Sequence, residues 1–336
     1  MKSDEEEKVA TKKILVLLNP SANMGKALFY SNAISEWSRR LQQERGIAFE
    51  IRHTEQTGLR SAFNLAKWAA QNGYERLIAV GGDGTMQEVA RGMLINGSGM
   101  ALAAIMAGTG NDWGKGLGIP ETMADALEVA LSGHPVLVDV GQVELGAKTN
   151  DRRIFINVAG FGLDARIART AATFKQELSF LPHKLLYLRA VFSELILRMD
   201  YPRLKIVAAD SGACWEGEFT MVTVGIGPSC GAIFKLTPAA SFYDGLFDMC
   251  LVQRASRLKI VRLLPLAISG GHVNRPEVSK DKEGKLPRSS SLQVSSIDCR
   301  PVPCHLDGEV LPPSINYQIA TLPKALRVVL PNNPRI

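Results

Sequence analysis

Leu77-Ile78-Ala79-Val80-Gly81-Gly82-Asp83-Gly84-Thr85 is a short apolar run that passes straight into glycines and then into a segment at helical spacing. A chain with this feature needs a buried strand that turns sharply into a helix, and glycine lets the backbone make that turn. Glycine also lets N–H groups approach phosphate oxygens, and the following helix presents its positive dipole end. Asp83 adds a carboxylate at the carboxyl end of the strand, within reach of a phosphate-bound Mg²⁺. A tight turn with Asp83 as a helix cap is the bland alternative. The flanking sequence predicts strands over 14–18, 48–53, 77–80 and 101–106 and helices over 26–43, 59–72 and 86–94. Strands spaced by helices imply βαβ units and a parallel sheet covered on both faces, a Rossmann-like α/β arrangement. The strand at 101–106 enters a second loop, Ala107-Gly108-Thr109-Gly110-Asn111-Asp112-Trp113, so two loops are expected to converge where such sheets bind ligands. Neither loop is GxxxxGK[ST], and no GxGxxG follows the first strand, which disfavours a hydride-transferring dinucleotide enzyme.

Beyond residue 136 the texture changes. Runs rich in Val, Ile, Phe and Thr at 136–140, 153–158, 203–208 and 218–225 predict an antiparallel β domain. One helix is expected among these strands, over 174–199. Within it Leu181, Leu185, Leu188, Phe192, Leu195 and Met199 form an apolar stripe, with Lys184, Arg189 and Arg198 off it. Such a stripe faces either a core or a membrane interface. The segment 275–291, with Pro276 and Pro287, reads as a mobile loop. A length of 336 residues suits two domains, and 46% hydrophobic with 21% charged residues is globular rather than disordered usage. Five cysteines without a CxxC pair predict a reduced compartment and no structural zinc. The acidic run at 4–7 is unlike a secretory leader, and apolar runs such as 101–107 fall short of the roughly 20 residues that span a bilayer. The expectation is a cytoplasmic protein with peripheral contact at the inner face of the membrane. A net charge of +6 favours anionic partners, although an ordinary basic surface accounts for it equally well.

Asn19-Pro20 after the first strand, GGDGT at 81–85, GTGND at 108–112 and Leu306-Asp307-Gly308-Glu309 occur in this order. Together they resemble bacterial lipid kinases related to diacylglycerol and sphingosine kinases, over nearly the whole chain. The run through Leu322-Pro323-Lys324-Ala325-Leu326 is similar in appearance to the proteobacterial phosphatidylglycerol/diacylglycerol lipid kinases. The resemblance implies an ATP-binding α/β domain (1–135 with 313–336) and, between its parts, an antiparallel β-sandwich-like, lipid-binding domain (136–312). It implies ATP and Mg²⁺, and transfer of the γ-phosphate to a hydroxyl of a membrane lipid such as diacylglycerol or phosphatidylglycerol. No nucleic-acid partner is expected, and the oligomeric state stays open.

Residue by residue, the resemblance assigns ATP contacts to Asn19, Thr54, Gly81, Gly82, Asp83, Gly84, Thr85, Met86, Gln87, Thr109 and Asn111. The stretch 241–248 resembles an element that holds Mg²⁺ through the Asp244 carboxylate and the carbonyls of Ser241 and Leu246. Asp244-Gly245 is also a common hairpin turn. The base site is marked by Asp307 and Glu309, with Glu309 the first choice and Asp307 a metal or orientation partner. In an extended segment, residues two apart point the same way and would form a paired carboxylate site. The chain departs from the family pattern at Asn23 with Gly25, at Gln87, at Met106 and at Trp113-Gly114-Lys115. An NAD kinase shares GGDGT, and a catalytically idle lipid-binding protein would share the fold. The late LDGE and the 241–248 element argue against the first; Asp83, Asp244, Asp307 and Glu309 argue against the second. His183 and His272 are assigned no role.

Overall fold

The computed structural model describes residues 13–22, 26–95, 97, 99–146, 152–178, 183–197 and 199–332. The acidic run at 4–7, Asn23, Gly25, Leu181 and Arg198 lie outside the described residues. The first part of the chain alternates strand and helix: β1 (Lys13–Leu18), α1 (Lys26–Arg45), β2 (Ala48–His53), α2 (Ala62–Gln71), β3 (Arg76–Gly81), α3 (Asp83–Leu94) and β4 (Ala101–Met106), then α4 (Asp112–Gly116) and α5 (Met123–Ser132). The strands pair in parallel in the order β2-β1-β3-β4.

β1, β3 and β4 are almost wholly buried, as strands covered on both faces must be. Alternate residues serve different layers. Leu15, Leu17, Leu77, Ala79, Leu102 and Ala104 join the cluster that holds the apolar residues of α2 and α3. Val16, Leu18, Ile78, Val80 and Ala103 face Ile34 of α1 and Ala126, Leu127 and Ala130 of α5. Ser61 starts α2 by accepting the Asn64 N–H, and Thr122 starts α5 by accepting that of Asp125. Gly92 lets α2 and α3 touch, since a β-carbon there would lie 2.3 Å from the Phe63 carbonyl oxygen.

The rest of the chain is mainly antiparallel: β5 (His134–Leu145), β6 (Arg152–Phe155), β7 (Val158–Gly162), α6 (Leu163–Glu177), α7 (His183–Leu197), β8 (Arg203–Ala208), β9 (Cys214–Gly225), β10 (Phe247–Gln253), α8 (Arg257–Ser269), β11 (Arg288–Ser289), β12 (Ser291–Ser296), β13 (Val302–Leu306), β14 (Glu309–Ser314) and β15 (Asn316–Leu330). A parallel α/β core followed by a β-sandwich-like half is thus the architecture. The two halves meet at β15, which is antiparallel to β12 and β5 and parallel to β4 through Val328 and Leu102. Its register shifts between Leu322 and Leu326, where Lys324 takes a φ of 53° and donates its N–H to Asp139.

Three expectations need correction. The helix predicted over 174–199 is two helices, with α6 ending at Glu177 and α7 beginning at His183. In α7 the buried face is Leu186, Tyr187, Ala190, Val191 and Leu195, while Leu185 and Phe192 are 54% and 47% exposed. Tyr187 sets this orientation, because its ring lies against Gly231, which has no side chain to obstruct it, and 6.0 Å from the Phe234 ring. The strand predicted over 153–158 breaks at Ile156 and Asn157, whose N–H groups turn toward Asp307 instead of a ladder. The segment 275–291 runs along β10: Gln253 donates to the Glu277 carbonyl, Ser279 to that of Leu251 and Met249 to that of Pro287, with Val278, Leu286 and Ser289 buried. Among the described residues, no helix is long and apolar enough to cross a membrane.

Candidate active site

The carboxyl ends of β1, β3 and β4 bring three loops together. Asn19 donates its N–H to the Val80 carbonyl and its amide group to the Thr85 hydroxyl at 2.8 Å. The Ala107 N–H meets the Gly81 carbonyl, and the Thr54 N–H that of Leu18. Gly82 and Gly108 lie back to back, so that a β-carbon on Gly108 would come within 2.6 Å of the Gly82 Cα. Glycine is required there by the close approach of two backbones. Thr109 is exposed at the mouth; Asn111, in the left-handed region at φ 59°, turns its amide N–H toward the Gly108 carbonyl. The Asn111 Oδ1 is buried, with no hydrogen-bond partner among the described residues.

Asp83 opens α3, yet its carboxylate reaches across to α4, accepting the N–H groups of Asp112 at 3.3 Å and Trp113 at 3.2 Å. It therefore caps the second loop's helix as well as starting the first. Removal from water pushes its carboxyl upward, against the pull of the Trp113, Asp112 and Asn111 amides. Asp112 is raised to about 6, by burial first and with the neighbouring Asp83 charge adding to it. The other candidates of this loop differ in exposure: the Met86 side chain is fully buried in the core, leaving only its backbone for a ligand, and Gln87 is buried and donates to the Ile154 carbonyl of β6.

Asp307 and Glu309 are not a pair on an extended strand. Leu306 pairs with Glu309 across a two-residue turn in which Asp307 has φ 50° and Gly308 φ 91°. Both are left-handed, as a type I′ hairpin demands. The turn aims the Asp307 carboxylate inward at three amides: Ile156 at 2.7 Å, Asn157 at 3.0 Å and Val158 at 2.8 Å. Burial raises this carboxyl to about 6 despite those donors. Glu309 points outward and lies 3.4 Å from Arg91 of α3. Gly308 places its N–H 3.1 Å from the His305 Nδ1, and the His305 Nε2 lies 3.4 Å from Asp164. Thr223 donates to the same Asp164 at 2.6 Å.

A chain of contacts joins the two motif regions. Asp112 accepts from the Ala232 N–H at 2.7 Å and the Ser229 hydroxyl at 3.4 Å; the Ser229 carbonyl accepts from the Asn157 side chain; and the Asn157 backbone holds Asp307. Arg91 closes the loop from Glu309 back to α3. Sequence reasoning missed Asn157, Ser229 and Arg91. No spacing rule points to the first two, because their roles depend on strands that meet only in the fold.

The element at 241–248 takes part in none of these hydrogen bonds, although its Phe242 ring packs over Gly116 of α4 and over Gly227 beside Asn157. The Ser241 hydroxyl accepts the Tyr243 N–H, the Leu246 N–H binds Asp244, and Asp244 is ion-paired with Arg288. A cavity of about 570 Å³ lies at the opposite ends of the parallel strands, lined among others by Ile14, Tyr74, Arg76, Ala101 and Arg327. It contains none of the candidate residues.

Residues 13–143 match the family model of the diacylglycerol kinase catalytic domain. Residues 157–330 match that of the YegS C-terminal NAD kinase beta sandwich-like domain. A protein of Staphylococcus carnosus (strain TM300) named diacylglycerol kinase is 30% identical over 245 residues, 73% of either chain. One of the same name from Bacillus subtilis (strain 168) is 27% identical over 305 residues, covering 89% of this chain and 90% of its own. The crystal structure of a diacylglycerol kinase from Bacillus anthracis str. Sterne superposes with a TM-score of 0.67 over 97% of this chain and 99% of that one. Identity to it is 21%, so that likeness speaks to the fold alone.

Proposed function

Because this chain belongs to the diacylglycerol kinase family, we propose that it is a lipid kinase that transfers the γ-phosphate of Mg²⁺-bound ATP to a lipid hydroxyl, with Glu309 as the base. The observation that carries this reading is the chain of contacts from Asp83 through Asp112, Ser229 and Asn157 to Asp307, beside which Glu309 faces outward. The glycine loops would cradle the polyphosphate, with amides of 81–85 and the N-terminus of α3 directed at it. Asn19, Thr54, Thr109 and Asn111 would line the nucleotide, and Met86 and Gln87 would contribute backbone only. Asp83, just past the carboxyl end of β3, would stand on the side of the cation that accompanies the phosphates. When bound, that ion offsets charge on the group in transit.

Glu309, exposed and oriented by Arg91, would take the proton of the acceptor hydroxyl as its oxygen attacks phosphorus. Asp307 acts as its orientation partner by fixing the hairpin. We assign nucleotide binding to 1–135 with 313–336, and the lipid to 136–312. Diacylglycerol is the first acceptor to test, because it is in the relatives' name; phosphatidylglycerol is the second. The protein would meet the bilayer peripherally, from the cytoplasm.

The test is a labelled-ATP assay over both lipids in mixed micelles, with NAD as control. Label is expected in lipid, and only with Mg²⁺. Glu309→Gln is expected to lose turnover by at least about 100-fold while still binding ATP, as for a group that acts in the transition state. Label in NAD and in no lipid would overturn the proposal.

A further inference from the structure

Two carboxylates flank the turn that opens β10, and a guanidinium stands between them. Arg288 of β11 lies directly opposite Asp248 of β10 in antiparallel register. Its Nη2 is ion-paired with the Asp244 Oδ2, and its Nε lies 3.4 Å from the Asp248 Oδ1. The other Asp244 oxygen, Oδ1, accepts the Leu246 N–H at 3.1 Å. Both oxygens of the one carboxylate that family resemblance gives to Mg²⁺ are therefore already facing N–H donors. A divalent ion on that carboxylate would stand against a like charge at contact distance, where Coulomb repulsion is strong even near a surface. The residues present do not fit a divalent cation at Asp244.

We infer that Arg288 is the resident cation of this turn, bridging Asp244 to Asp248 so that the loop 241–248 is held without a metal ion. Arginine suits the task where lysine would not, because its planar fork can address two carboxylates from different nitrogens. Asp248 is 2% exposed, and a buried carboxylate needs a partner. The bridge also serves the interior of the molecule. Gly245, next to Asp244, donates to Asp139 at 2.6 Å, and its carbonyl accepts from Thr321 of β15 at 2.8 Å. The other Asp139 oxygen accepts from Lys324. Arg288 thus locks the outer side of a turn whose inner side is stitched to β15.

Thermal unfolding of the full chain tests this, without nucleotide or lipid, so that the result does not depend on kinase activity. The wild type is expected to melt at the same temperature in Mg²⁺ and in EDTA. Arg288→Gln is expected to melt lower in EDTA by about 1.5 °C, the shift that a loss on the order of 1 kcal/mol gives in a protein of this size. Mg²⁺ should recover part of that shift, because Asp244 and Asp248 are then free to take the ion. Arg288→Lys should fall between the two. Equal melting of wild type and Arg288→Gln in EDTA would overturn the inference. Electron paramagnetic resonance with Mn²⁺ as the probe gives a second readout should Arg288→Gln fail to fold. No saturable Mn²⁺ dependent on Asp244 is expected in the wild type. One equivalent bound by the wild type and lost in Asp244→Asn would place a metal where we place the guanidinium.

Discussion

Asp307 commits its carboxylate to three backbone amides, and this leaves Glu309 as the acid of the motif that faces outward. The four letters of the motif were legible in the sequence; their division of labour was not. A two-residue spacing suggests side chains on one face only if the segment is extended. Asp307-Gly308 carries the Asp-Gly signal of a type I′ turn, and that signal was the available clue. Buried acids elsewhere in the site give a pH dependence whose sign can be worked out. Asp112 has its carboxyl raised to about 6, against 3.8 as the ordinary value. Between about pH 4 and about pH 6 the folded protein therefore binds more protons at this position than the unfolded chain, and stability is lost as pH rises through that window. Asp112→Asn carries no such proton. Its melting temperature should decline less than that of the wild type between those pH values at fixed ionic strength, and parallel curves would contradict the assignment.

α3 is the element in which both signals, chemical and structural, are written in glycine. Gly84 faces open space, with nothing within 4 Å of a β-carbon built there. Gly92 faces α2, where the same β-carbon meets the Phe63 carbonyl at 2.3 Å and the Ala66 β-carbon at 2.9 Å. Alanine improves helix propensity by about 1 kcal/mol, but overpacking against backbone costs about 1–3 kcal/mol. Gly92→Ala is thus expected to lower the urea midpoint. Gly84→Ala should fold normally and bind ATP more weakly, which isothermal titration can check. Elements of the parallel half were legible because strands buried on both faces are continuous apolar runs bounded by glycine. The α6–α7 break was harder, since an apolar stripe continues in the sequence from 174 to 199; Pro182, which disfavours a continuous helix, was the signal against it. The segment at 275–291 looked loose because it is polar, and only its hydrogen bonds to β10 reveal that it is packed.

At the scale of the molecule, the sheet is continuous from β14 at one end to β2 at the other, with β15 between β12 and β4. No propensity could announce this, because β15 pairs with strands more than 150 residues earlier. A sheet shared in this way predicts one cooperative unfolding transition. Trp113 reports from the parallel half and Trp215 from β9. Urea transitions followed by tryptophan fluorescence and by far-ultraviolet circular dichroism should coincide, and separated midpoints would mean that the halves unfold independently.

The place of β15 also bears on how the protein is made. It is synthesised after every strand it pairs with, so a nascent chain that has emerged only to β14 exposes three unpaired edges, on β4, β5 and β12. Such edges invite pairing with other chains. On the ribosome the parallel half therefore cannot close first and wait. The hazardous interval for misassociation ends only when residues 316–330 leave the exit tunnel, and a prematurely terminated product would carry those open edges for its whole lifetime.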